Sequence, residues 1–186
     1  MHIDEHEGKP VISLIMNARD DDWKVPKGEV AQSSMPLSRY LEYTNERLSL
    51  IYREVNKTVL DNLKIIPCLL MTEFEGEQHP DGGRCLVSNI RVGKLVSVEV
   101  KGKNLAYAVR IDHDYGKVTV DNFKALGDQF FFHLFETSRT HWAIKDVSLL
   151  EVINAFELEI PLPPHVHVPP LSTFRRRLDR ANLSRA

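Results

Sequence analysis

Two groups of side chains in this 186-residue chain have types and spacings that chemistry could use. In the first, Asp81 of "HPDGG" precedes Glu99 and Lys101 of "VEVKG". Two carboxylates can hold Mg²⁺, and a lysine beside them can polarise an attacking water or a phosphate. Alternation along a strand puts Glu99 and Lys101 on one face, as that chemistry needs. It does the same for every E-x-K triplet on a half-buried strand, so the spacing alone carries little. Asp81 also falls in a glycine-rich turn, and a hairpin rather than a helix follows Lys101. The second group is Arg139, His141 and Lys145 of "SRTHWAIKDVSLLEVI" (138–153), a candidate anion or surface site, with Asp146 beside it as an acid or metal ligand. A structural reading accounts for more of this stretch. Trp142 and Ile144 alternate with polar neighbours as a short strand requires, and Asp146 stands where a helix start would use a side-chain oxygen.

Other candidates are weaker. Asp112, His113 and Asp114 are adjacent, and adjacent strand residues point to opposite faces, so they converge on a metal only if the strand ends there. His165 and His167 lie in an open proline segment, and His133 within an aromatic run reads as a hydrogen-bonded core residue. The chain has no G-x-S-x-G elbow, Walker loop or G-x-G-x-x-G. Its two cysteines, Cys68 and Cys85, lack metal spacing. No cofactor is expected, with Mg²⁺ entering only if Asp81, Glu99 and Lys101 act together.

Composition sets the context. At 42% hydrophobic and 27% charged the chain suits an ordinary globular domain. Apolar runs are too short to span a bilayer, no secretory signal is expected of the acidic amino terminus, and a reducing cytoplasm is the expected compartment. A net charge of −2 hides an asymmetry between the ends. Residues 1–22 carry six acids against Lys9 and Arg19, whereas the last fifteen carry five arginines against Asp179. Five prolines within residues 161–170 make that stretch an extended linker.

The elements that would position these groups follow from periodicity. "PVISLIMNA" (10–18) predicts a strand, and the acid-, Pro-, Gly- and Ser-rich 19–36 a loop. Leu37, Leu41, Leu48, Ile51, Val55, Val59 and Leu63 recur at helical spacing, which predicts one long helix over 37–63. "IIPCLLMTEF" and "RCLVSNI" predict strands; with the turn near His79, Cys68 would face Ile90 and the thiols would stay free. Around Gly102–Lys103 a two-residue hairpin would pair Val100 with Leu105, Val98 with Tyr107 and Val96 with Val109, apolar on one face. Asp121 reads as the cap of a short helix and 128–136 as a strand. Ser148 and Glu151 form an S-x-x-E capping box opening a second helix, Val147 to Phe156.

Two resemblances bear on function. Asp81, Glu99 and Lys101 resemble the PD-(D/E)xK arrangement of restriction-like nucleases, which implies an Mg²⁺-dependent nuclease. "IPCLLMTE", "NIRVGKLVSVEV" and "SRTHWAIKDVSLLEVI" together resemble a poorly characterised bacterial domain with an R-x-H-W-A-(I/V)-K-D-x-x-L signature, over roughly residues 37–153. That resemblance implies an association with mobile and anti-phage gene neighbourhoods and supplies no catalytic residues.

The combined expectation is a single α+β domain over 1–156. In it a small, mainly antiparallel sheet or partly open barrel packs against one long and one shorter helix. A Pro-rich linker (157–171) and a basic tail (172–186) follow. The leading function is a non-catalytic assembly subunit docking on another protein, with Pro163, Pro164, Pro169, Pro170, Phe174, Arg175, Arg176, Arg177 and Arg180 as partner-binding residues. The alternatives are the nuclease and non-specific nucleic-acid binding by the tail. No membrane contact is expected.

Overall fold

The computed structural model describes residues 10–78, 82–119 and 134–156. Their main feature is one curled, half-barrel sheet of seven strands. These are β1 (Ile12–Asn17), β2 (Val30–Pro36), β3 (Pro67–Thr72), β4 (Glu75–Gln78), β5 (Arg84–Lys101), β6 (Asn104–Thr119) and β7 (His141–Lys145). They lie in the order β2-β6-β5-β3-β1-β7, with β4 pairing to β5. β1 and β3 are parallel, Ser13 beside Cys68, and the other pairs are antiparallel. Three short helices, α1 (Glu46–Tyr52), α2 (Lys57–Leu63) and α3 (Leu149–Ala155), complete the described architecture with 3-10 turns at Asp20–Trp23, Leu37–Arg39 and Leu134–Ser138.

This overturns the expected small sheet packed on one long helix. Residues 37–63 contain two seven-residue helices, each started afresh by an asparagine. The Asn45 side chain accepts from the Leu48 amide and that of Asn56 from the Val59 amide, the bond that ends one chain direction and opens a helix. Upstream, Leu41 and Tyr43 hold φ of +65° and +58°. That left-handed backbone cannot belong to an α-helix. The apolar period is real within the pieces, where Leu48, Tyr52, Val59 and Leu63 are buried, but it joins segments that the backbone separates.

The sheet is larger than expected because two strands run long and one lay hidden. β5 and β6 pair along almost their whole lengths across bulges. The hairpin keeps Val100 opposite Leu105 and Val98 opposite Tyr107, while a bulge between Leu95 and Ser97 gives Val109 to Leu95 instead of Val96. Positive φ is confined to Gly102 in that loop, as a II′ turn demands. β2 was hidden in a supposed loop, although Ala31 and Met35 are buried on one face. Cys68 faces Gly93 and Cys85 faces Glu77, so both thiols are free, and burial pushes that of Cys68 up to about 12. The Asp121 cap and most of the 128–136 strand lie outside the described residues.

β1, β3 and β7 are buried on both faces, and so read as continuous apolar runs. Ile15, Leu70, Trp142 and Ile144 join Leu48, Leu63 and Tyr107 on one face; Ile12, Leu14, Leu69, Ala143 and Val152 form the core on the other. Trp142 is fully buried, with Tyr107 and Tyr40 edge-on at 5.3 and 5.8 Å. α3 opens with the full capping box of Ser148 and Glu151. No helix among the described residues is long and apolar enough to cross a membrane.

Gly93 of β5 has no room for a side chain against β6. A Cβ there would press into the Arg110 carbonyl oxygen and stand 2.8 Å from Val109 Cγ1. Gly93→Ala is expected to lower the unfolding free energy by about 2 kcal/mol, within the range for overpacking. Urea denaturation measures this, and an unchanged midpoint would contradict the register.

Candidate functional site

β7 carries the residues that looked most reactive. Its alternation puts Trp142 and Ile144 on one face and His141, Ala143 and Lys145 on the other. Glu136, from the 3-10 turn before β7, reaches the second face. Lys145 Nζ donates to Glu136 Oε1 at 2.8 Å and to the Tyr43 carbonyl at 2.9 Å. His141 Nδ1 is 2.7 Å from the Arg139 carbonyl oxygen, which can only accept, so Nδ1 carries the hydrogen. Its Nε2 then faces Glu136 Oε2 at 3.3 Å, and the Tyr43 ring closes over the imidazole at 4.9 Å. Burial lowers the pKa of Lys145 from its ordinary value, and the Glu136 carboxylate opposes that shift.

The side chains of Glu136, His141 and Lys145 are 0–3% exposed. No solute reaches them, and Lys145, bonded to Glu136 and to the Tyr43 carbonyl, fastens the 134–138 turn and residues 40–44 to β7. Arg139 lies apart, half-exposed, and pairs with Glu42 at 3.0 Å, which also holds Arg39. Asp146 does not cap α3, a task Ser148 performs; it receives Arg47 from α1 at 2.8 Å. The structure thus brings His141 and Lys145 together around Glu136, a residue the sequence reading passed over, and leaves Arg139 outside.

Glu99 and Lys101 share the exposed face of β5 and pair with each other at 2.7 Å. Asp81 lies outside the described residues, as do His133, His165 and His167. So do all the partner-binding candidates, Pro163, Pro164, Pro169, Pro170, Phe174, Arg175, Arg176, Arg177 and Arg180. Asp112 pairs with Arg110, and Asp114 with the buried Arg91. Among the described residues no cluster of three or more His, Cys, Asp or Glu could hold a metal ion.

A different place has the form of a binding site. At the end of β1, Asn17 turns the chain into Asp20–Trp23, its Oδ1 accepting from the Arg19 amide. Asp22 folds back, and its Oδ2 accepts from Asn17 Nδ2 at 2.8 Å and from Ser33 Oγ of β2 at 2.9 Å. Arg91 fixes the turn to the sheet through Asp20 at 2.6 Å. Between this turn and β2 opens a cleft of about 420 Å³ lined by Asn17, Arg19, Asp22, Gln32, Ser33 and Ser34. Sequence reasoning assigned the region to a loop. The inward alternation of Ala31, Ser33 and Met35, and a lone Trp23 after three acids, were the signals available.

Comparison with protein-family models, curated proteins and solved structures finds no match to the chain.

Glu136→Gln should cost about 3 kcal/mol of stability, because it strips a buried ammonium of its counter-charge. Adding Lys145→Met to that variant should reduce the loss. Urea denaturation at neutral pH checks both, and a single variant as stable as the parent would contradict the role given to Glu136.

Proposed function

We propose that this chain is a non-catalytic assembly or interaction subunit of a bacterial complex, in an anti-phage setting, that docks on another protein. One observation supports the reading most. Every element of the R-x-H-W-A-I-K-D-x-x-L signature has a folding task. Arg139 pairs with Glu42, His141 and Lys145 surround Glu136, Trp142 and Ile144 fill one core and Ala143 the other, Asp146 holds α1, and Leu149 packs on the second core. A motif spent wholly on packing and internal pairing suits a module whose work is to present a surface. The Pro-rich 161–170 stretch loses little entropy on binding. The arginines after it suit an acidic protein partner.

The test uses the full chain and a variant with Arg175, Arg176, Arg177 and Arg180 changed to Glu, each mixed with purified proteins encoded by neighbouring genes. Light scattering after gel filtration should show a stable complex with the parent chain and binding about tenfold weaker or more in the variant, a change of about 1.4 kcal/mol. No complex with any neighbour, or equal binding by both chains, contradicts the proposal. Binding to arbitrary DNA with a steep salt dependence would favour the nucleic-acid reading instead. Mg²⁺-dependent cleavage lost in Glu99→Ala and Lys101→Ala would favour the nuclease.

A further inference from the structure

We infer that the cleft between the Asp20–Trp23 turn and β2 is a binding site for a small zwitterion of the free α-amino-acid class. The cleft carries two opposite charges that do not neutralise each other. Arg19 is exposed at its rim, and among the described residues its guanidinium has no ion-pair or hydrogen-bond partner. Half-buried Asp22 is held by two neutral donors, Asn17 and Ser33, both on Oδ2, which leaves Oδ1 and the charge without a cation. Three other half-buried acids, Glu42, Asp146 and Asp20, are paired with cations, while Glu73, like Asp22, accepts from a neutral donor, the Thr140 hydroxyl. A carboxylate oriented by neutral donors is instead poised for an ammonium, and an unpaired guanidinium at the rim for a carboxylate.

A second, independent observation lies behind Ser33. The hydroxyl of buried Tyr107 is set against Ser33 and Trp23, and burial pushes its pKa well up. That hydroxyl and the fully buried Trp23 Nε1 lie beside each other and beside Ser33, but neither meets good hydrogen-bond geometry with a partner. Buried donors are ordinarily satisfied. These two poorly paired donors do not line the cleft themselves but adjoin Ser33, which does, so a polar molecule bound there would complete them through a water.

The backbone adds the third component. β2 has β6 on one side only, and three consecutive residues, Gln32 to Ser34, line the cleft. As the terminal strand of the described sheet, β2 has one row of backbone N–H and C=O groups with no neighbouring strand.

The test is calorimetric titration of the full chain with each standard L-amino acid, its carboxamide and its N-acetyl derivative at millimolar concentrations. At least one amino acid should bind saturably. Its carboxamide and N-acetyl forms should bind about tenfold more weakly or worse, the worth of one hydrogen bond to a charged group. Arg19→Gln should abolish the preference for carboxylate over carboxamide, and Asp22→Asn the preference for free amine over N-acetyl, with urea midpoints confirming that both variants fold. Absence of saturable binding, or binding indifferent to both derivatives and both variants, overturns the inference. Because these readouts need no partner protein, they are independent of the docking experiment.

Discussion

The last strand of a sheet exposes a row of backbone donors and acceptors, and a strand buried on both faces cannot leave that row open. β7 is in that position: every one of its residues is buried, yet among the described strands only β1 pairs with it. Residues 40–44 cover the exposed side. Tyr40 bridges to Trp142, Thr44 Oγ1 accepts the Ile144 amide at 2.9 Å, and the Tyr43 carbonyl accepts Lys145. Holding this strap requires left-handed backbone at Leu41 and Tyr43, at about 1–3 kcal/mol each. Closure of the edge, the aromatic contacts of Trp142 and the pairing of Lys145 offset that cost.

The same strap explains why the fold departs from its sequence pattern. A helix over 37–63 would have satisfied the apolar spacing but left β7 uncovered, and tertiary need overrode local periodicity. The breaks were still written in the chain, since Asn45 and Asn56 are helix starters rather than helix interiors. β1, β3, the Gly102 hairpin and the Ser148–Glu151 box were legible because each follows from short-range rules. Glu136 was not legible, since its role depends on a turn meeting the face of a later strand. β2 escaped because its polar Gln32, Ser33 and Ser34 mask a strand whose partner, β6, lies some seventy residues on.

The cleft was invisible for a related reason. Asn17, Asp22 and Ser33 come from two strands and a turn, and only the curl of the sheet sets Ser33 3.4 Å from Asn17. The chain thus separates two polar clusters by environment. Around Glu136, opposite charges meet in a closed interior and serve the fold. Around Asp22, charges stand unpaired beside solvent and remain available. A side chain's suitability for chemistry, read from its type, says little until its neighbours are known: His141 and Lys145 are spent on structure, and Asp22, one of three acids in a row, is the better placed to meet a ligand.

The account rests on residues 40–44 closing the edge of β7, and hydrogen exchange of the Ile144 amide tests this most directly. In the parent chain that amide should exchange only with global unfolding, at a rate set by the full stability of the domain. In Thr44→Val, which removes the acceptor and keeps the shape, it should exchange faster while the amides of β1 change little. An Ile144 amide that exchanges in the parent as rapidly as an uncovered edge would contradict the account.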